Sequence, residues 1–265
     1  MEIWLAIGLY AVPMIGSTIN FILNFFHAQP KRRNMQRVSD EIIEGLKEFD
    51  TPTVFNAMVK KLGLPNEEYT SHEIRCLTPC ARPVVGYAVT SQVTSMDPDS
   101  PGISWAEYYG YMEKTPGPHF CVMKDVDSRP GRGASFGDGM ATMHKRFGAV
   151  AMVIEGTVRD LPGVNEVGLP TWAWGSTPGH GATFITHVNT PVTVGQLRIR
   201  SGDLMMGDMG GCVRIPIEHA EDILHLCFEI RDYERDIMAF MRSPQCTVEE
   251  LNRRFKWDEK AKAGK

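Results

Sequence analysis

Apolar and polar positions along the chain alternate first at helical spacing. Ile42, Ile43 and Leu46 form a stripe behind Ser39, a residue type suited to cap a helix. Asp50-Thr51-Pro52 interrupts it, and Val54, Phe55, Met58, Val59 and Leu62 restart it until Gly63 ends the helix. The pattern then turns to strand in "RPVVGYAVTSQV", where Val and Thr dominate. "MDPDSPG" is a loop by composition, "SWAEYYGYMEK" a helix, and "HFCVMKDV" a strand entered through Pro116-Gly117-Pro118. A glycine-rich loop, a helix over residues 139–147 and a strand over residues 150–154 follow. Strand, loop, helix and strand in that order imply a right-handed parallel crossover in an α/β fold.

"TWAWGS" and "PVTVGQLRIRSGDLMMGDMGGCVRIP" are β in pattern, with a hairpin turn over residues 208–211. In "IEHAEDILHLCFEIRDYERDIMAFMR" the residues Ala220, Ile223, Leu224, Cys227, Ile230 and Ile237 recur near a spacing of 3.6, which predicts a long amphipathic helix. Ser243-Pro244 ends it, and the charged remainder is expected to be a fraying surface helix. The chain therefore divides into an apolar extension (1–34), a catalytic-sized domain (35–242) and a charged tail (243–265), without an internal repeat.

The first segment departs from this pattern. Residues 3–26, "IWLAIGLYAVPMIGSTINFILNFF", carry no charge, and Lys31-Arg32-Arg33 follows. The length would span a bilayer with the basic cluster on the cytoplasmic side. Only Glu2 precedes it among charged residues, unlike the basic start of a secretory signal. Pro13, Gly8, Gly16, Asn20 and Asn24 speak against a membrane span. A membrane contact, a buried helix, an interface helix in an oligomer and an upstream extension all remain open.

Composition narrows the function. With 43% hydrophobic and 23% charged residues the chain is an ordinary globular protein. Its net charge of −4 offers no basic excess to neutralise phosphates, so nucleic acid is not expected as a partner. Of six cysteines only Cys76 and Cys80 are close, with no second pair to complete a zinc site, which suits reduced thiols in a cytoplasmic compartment. Asp97 and Asp99 lack any EF-hand context, and Asp125 and Asp127 are expected to cap a strand end. His180, His187, His219 and His225 have no HExxH-type partner.

Two stretches carry candidate chemistry. "GRGASFGDGM" places glycines ahead of a helix, where backbone N–H groups and the helix dipole favour an anion. Phe136 stands where a dinucleotide fingerprint needs glycine, and no Walker lysine follows. A small carboxylate on the amides of Gly137 to Met140 suits it better than a nucleotide. "AMVIEGTVRDLPG" then sets Arg159 beside Asp160 at the end of an apolar run. The expectation is that both lie on the strand after the loop's helix, so that parallel crossover geometry brings them to the loop. Anion cradle, guanidinium and carboxylate would suit an α-keto acid and a hard cation that keeps its waters. A flexible loop with a surface ion pair is the other reading that the residues allow.

Together "DTPTVFNAM", "RPVVGYAVT", "GDGMATMHKRFGAVAMVIEGTVRD", "GLPTWAWGSTP" and "SGDLMMGDMGGCVRIP" resemble the RraA-like family of 4-hydroxy-4-methyl-2-oxoglutarate (4-carboxy-4-hydroxy-2-oxoadipate) aldolases and regulators of ribonuclease E activity. The tetrad from Gly137 lies 22 positions before Arg159, as in the family, but reads Gly-Asp-Gly-Met where Gly-Glu-Leu-Leu is usual. The early helix has Asn56-Ala57-Met58 where Asp-Ala-Leu is common. The resemblance implies an αββ sandwich of the swivelling-domain kind, here with an extra N-terminal apolar helix, and a homotrimer or a hexamer of paired trimers. It implies that Gly137, Asp138, Gly139 and Met140 bind the substrate carboxylate, Arg159 a substrate oxygen, and Asp160 a divalent cation, Mg²⁺ or Mn²⁺. The activity implied is a class II lyase releasing pyruvate from a 4-hydroxy-2-oxo acid, with oxaloacetate decarboxylation through the same enolate. The alternative within the family is a non-catalytic protein that binds and regulates a ribonuclease.

Overall fold

The computed structural model describes residues 36–64 and 66–259. The expectations for residues 3–26 lie outside them. Helix α1 (Asp40–Leu46) starts behind Ser39, whose backbone is extended as a cap requires but whose side chain makes no capping hydrogen bond. Helix α2 (Thr51–Leu62) is capped by the residue expected to break the pattern: Thr53 N–H donates to the Asp50 carboxylate at 2.9 Å. Gly63 ends α2 at φ +86°, a conformation open to glycine at little cost.

From there the chain builds an eight-stranded mixed sheet by repeated crossovers. Edge strand β1 (Arg75–Cys76) is followed by the long central β2 (Val84–Thr94), helix α3 (Trp105–Lys114) and β3 (His119–Asp125). Short strand β4 (Ala134–Phe136) and helix α4 (Asp138–Arg146) lead to β5 (Ala149–Glu155). Short strand β6 (Thr157–Val158) and helix α5 (Leu161–Val167) lead to β7 (Thr171–Ala173), and β8 (Gly175–Ser176) follows. Strands β2, β3, β5 and β7 pair in parallel, as right-handed crossovers produce. On the other edge of β2, β12 (Leu204–Asp208) pairs with residues 84–87 and β9 (Phe184–Val188) with residues 91–94, both antiparallel. Strand β13 (Gly211–Ile215) closes the order beside β12 through the expected hairpin turn.

Strand residues of β3 and β5 are buried on both faces, so they appear as continuous apolar runs rather than alternating ones. Cys121, Met123, Met152 and Ile154 pack with Tyr108, Met112 and Ala141 of α3 and α4. Phe120, Val122, Ala151 and Val153 face the other way, against β10 (Val192–Val194) and β11 (Leu197–Ile199), a two-stranded antiparallel sheet. Trp172 is fully buried there, stacked on Phe120 at 5.8 Å, with its indole N–H donating to Asp208 O. Each such side chain contributes roughly 1.5–3 kcal/mol by leaving water. A third cluster joins α1, α2 and the long helix α6 (Ala220–Met241) to β2, β12 and β13. The tail forms one short surface helix, α7 (Val248–Phe255). Among the described residues no helix is long and apolar enough to cross a membrane.

One expectation needs correcting here. Arg159 and Asp160 are not on the strand that follows the loop's helix. At Gly156 the chain leaves β5 and enters a second, three-stranded parallel sheet, ordered β4–β6–β8. Strands β6 and β8 follow directly on the carboxyl ends of β5 and β7, and β4 follows β3 across the loop of residues 126–133. A Cβ at Gly156 would sit 3.0 Å from Asp125 Cβ, so a side chain would crowd Asp125 where the chain changes sheets.

Candidate functional site

The second sheet brings the two sequence stretches together. Strands β4 and β6 pair in parallel with Phe136 against Val158, and Arg159 N–H donates to Phe136 O at 2.9 Å. The residues after these strands, Gly137 and Arg159-Asp160, are therefore neighbours, and each strand feeds a helix N-terminus. A Cβ on Gly137 would lie 2.9 Å from Asp160 Oδ2 and 3.2 Å from Arg159 Cγ. What favours glycine there is close approach to these two side chains, since its backbone is ordinarily extended. Gly163 in α5 is equally constrained, because a Cβ would meet Asp138 Oδ2 at 2.7 Å.

Asp160 has an unusual backbone. At φ 55° and ψ 37° it is left-handed, a conformation that costs a residue with a Cβ about 1–2 kcal/mol. It occupies the N-cap position of α5, yet its carboxylate makes no capping hydrogen bond. Oδ2 instead lies 2.9 Å from Arg159 Nε in an ion pair. The two side chains are 38% and 39% exposed, so this ion pair adds only about 0–1 kcal/mol to stability. A left-handed backbone and a carboxylate without its capping bond make Asp160 a candidate functional residue.

The four-residue cradle is only partly available. Gly139 N–H already donates to Asp138 Oδ1 at 2.7 Å, and Ala141 N–H to Gly137 O. The amides of Asp138 and Met140 are the ones the α4 terminus has left to present, since the first N–H groups of a helix have no partner within it. The dipole of α4 adds positive potential at the same place. Met140 contributes its backbone here.

Behind α4 lies a network that the sequence patterns did not bring out. His144 is fully buried; its Nδ1 donates to Met140 O at 2.7 Å and Nε2 lies 2.8 Å from Tyr108 Oη. Burial holds its pKa down to about 4, against a smaller upward pull from the Met140 carbonyl, so the ring is neutral. The only signal for it is position: His144 falls three residues after the buried Ala141, on the apolar stripe of α4.

Asp125 and Asp127 do more than cap β3. Asp125 Oδ2 accepts from Gly131 N–H at 2.8 Å and Oδ1 from Asp127 N–H; burial raises its pKa. Asp127 accepts from Thr94 Oγ1, Ser95 N–H, Met96 N–H and Arg129 N–H. Burial pulls its pKa up, but these hydrogen bonds outweigh it and the net shift is downward. The pair fixes the loop that delivers β4 to the second sheet. His180 and His187 are exposed and bond only to adjacent residues, and all six cysteines are free thiols. Among the described residues no three His, Cys, Asp or Glu side chains converge as a metal cage.

Residues 38–214 match the family model RraA-like (Aldolase/RraA), and the chain belongs to that family. It is 31% identical over 142 residues to a protein of Halalkalibacterium halodurans named "Putative 4-hydroxy-4-methyl-2-oxoglutarate aldolase"; the match covers 53% of this chain and 63% of that one. The chain thus spans less than two thirds of that relative's length. A crystal structure of an uncharacterized protein from Pseudomonas syringae pv. tomato superposes with a TM-score of 0.65 at 22% identity, over 82% of this chain and 94% of that one. The Streptomyces coelicolor protein RraAS2, described as an unusual member of the RNase ES inhibitor RraA family, superposes with a TM-score of 0.61 at 25% identity, over 78% and 99%.

Proposed function

We propose that the protein is a carbon–carbon lyase that releases pyruvate from a 4-hydroxy-2-oxo acid, with oxaloacetate decarboxylation as a companion activity. The observation that carries this reading is the contact of Gly137 with Arg159 and Asp160 at two adjacent strand ends, with a helix N-terminus opening from the first. The name of the Halalkalibacterium relative supports it.

The residues fit a divalent cation such as Mg²⁺ or Mn²⁺ that keeps most of its waters. Asp160 would be its protein carboxylate, since it is oxygen-based, half-exposed and free of capping duty. Such an ion supplies Lewis acidity at the 2-oxo oxygen. The chain's own groups do the rest. The free amides of α4 hold the substrate's C1 carboxylate. The Arg159 guanidinium donates to the C2 oxygen as breaking C3–C4 turns it into an enolate oxygen. The C4 hydroxyl proton passes to solvent water, which reaches the half-exposed pair, and C3 takes a proton back to give pyruvate. As expected of the family, the working form would be a trimer or paired trimers.

The decisive experiment couples pyruvate release from oxaloacetate to lactate dehydrogenase, with Mg²⁺ against EDTA, in wild type and Arg159→Lys. Release above the metal-only background, cut about 100-fold or more by lysine, is the expected result. A lysine variant at the wild-type rate would remove the guanidinium from the mechanism. A second reading, ribonuclease regulation, draws on the likeness to the Streptomyces inhibitor-family protein. Inhibition of ribonuclease E cleavage by a chain without lyase activity would favour it.

A further inference from the structure

Helix α4 is held from behind by a chain of hydrogen bonds with one direction. His144 Nδ1 lies 2.7 Å from Met140 O, a carbonyl that can only accept, so Nδ1 carries the ring's proton. Burial keeps the ring neutral, which leaves Nε2 as an acceptor. Tyr108 Oη, 2.8 Å from Nε2, is therefore the donor, and burial raises its pKa so that the hydroxyl keeps its proton. Tyr109 Oη is a longer neighbour of Nδ1, at 3.4 Å. Tyr108 and His144 are both fully buried, so bulk water does not compete for these bonds.

The chain does not stop at Met140. Its carbonyl shares a peptide group with Ala141 N–H, which donates to Gly137 O at 2.9 Å. The Gly137 carbonyl in turn shares a peptide group with Asp138 N–H, which has no partner among the described residues and opens at the α4 terminus. Amide resonance makes an N–H a better donor when its own carbonyl accepts, and linked bonds in a low-dielectric interior strengthen one another by about 10–30% each. Gly139 N–H lies off this path, because it belongs to the Asp138 peptide and donates to Asp138 Oδ1.

We propose that Tyr108 and His144 are positioning residues for the anion seat: a relay from Tyr108 O–H through His144, the Met140–Ala141 peptide and the Gly137–Asp138 peptide aims and strengthens Asp138 N–H as a donor to the substrate's C1 carboxylate. This rests on the reading of the α4 terminus as the seat of that carboxylate. Both side chains act through the α4 backbone. An imidazole and a phenol that are costly to bury thereby contribute to binding from inside the core.

Backbone amide resonances of the isotope-labelled full chain, recorded with EDTA and without ligand, test the relay apart from any cation or turnover. Tyr108→Phe removes only the first donor. The Asp138 and Ala141 amide protons should move upfield, as weakened hydrogen bonds do, and Gly139 should move less. His144→Leu should move them further. His144→Asn, whose side-chain N–H takes the place of Nδ1, should return them towards wild type, which restored bulk alone would not do. Unmoved amides in Tyr108→Phe, equal movement of Gly139, or a His144→Asn spectrum like that of His144→Leu overturns the proposal. Pyruvate is then titrated into wild type and Tyr108→Phe while the same amides are followed. Its Kd should rise about threefold to tenfold in the variant, and an unchanged Kd overturns the relay's part in binding. A titration that leaves the wild-type Asp138 amide unmoved sinks the carboxylate seat itself, and is told apart from a failed relay, which shows in the free chain.

Discussion

Arg159 donates its backbone N–H to the carbonyl of Phe136 at 2.9 Å, and this bond closes the second sheet at the point where both strands end. Strand β4 runs out at Gly137 and becomes α4; β6 runs out at Asp160 and becomes α5. Two helix N-termini, a guanidinium and a carboxylate are thereby collected beyond the carboxyl ends of parallel strands, where open α/β sheets bind their ligands. The scaffold holds this arrangement by backbone pairing, so the side chains are free to be selected for chemistry.

Asp160→Asn should separate function from folding. Asparagine tolerates the left-handed backbone as well as aspartate does, and the lost ion pair is half-exposed. Stability in urea is expected to change by no more than about 0.5 kcal/mol, while metal-dependent pyruvate release falls to background. A variant that turns over at the wild-type rate would take Asp160 out of the mechanism.

Gly137→Ala should act through its neighbours. The added methyl has to displace the Asp160 carboxylate and the Arg159 stem, which are the ends of side chains and able to move. The fold survives, with a melting temperature near that of the wild type, but the pair is re-aimed. A misplacement of that order costs about 100-fold in turnover. Unchanged kinetics would mean that the pair's position is not tied to Gly137.

Long periodic elements were legible in the chain: α2, α3, α6, the crossover from β3 to β5 and the β12–β13 hairpin all lie where the apolar pattern puts them. The second sheet was not. Strands β4, β6 and β8 have three, two and two residues, too few to display a period, and their pairing is entirely non-local. The motifs identified Gly137, Arg159 and Asp160, but the reason they meet is this sheet, not the main one. The Asp138 side chain occupying Gly139 N–H was equally invisible, since a local hydrogen bond of that kind leaves no mark on spacing.

Asp208 gives a stability prediction away from the site. Its buried carboxylate accepts from Thr51 N–H at 2.6 Å, Thr51 Oγ1 at 2.7 Å and Gly210 N–H at 2.7 Å, joining the start of α2 to the β12–β13 turn. Asp208→Ala strands these donors, and about 2–3 kcal/mol of unfolding free energy should be lost. Urea denaturation measures it; a loss under about 0.5 kcal/mol would show that water replaces the carboxylate.

His144 makes the fold sensitive to acid in a definite window. In the unfolded chain the imidazole takes a proton near its ordinary value of 6.5, whereas in the fold burial delays this to about 4. Above pH 6.5 both states are neutral and the histidine's contribution is whole. As pH falls from 6.5 to about 4 the unfolded state binds a proton that the native state refuses, so stability declines, and below about 4 the loss levels off. The full difference is on the order of 3 kcal/mol. Exposed carboxylates titrate over part of the same range, so the informative quantity is the stability of wild type minus that of His144→Gln, measured by urea denaturation from pH 7 to pH 4.5. That difference should shrink steadily on acidification. If it stays constant, His144 ionises in the fold as it does in solution, and the bond from its Nδ1 to Met140 O does not depend on a neutral ring.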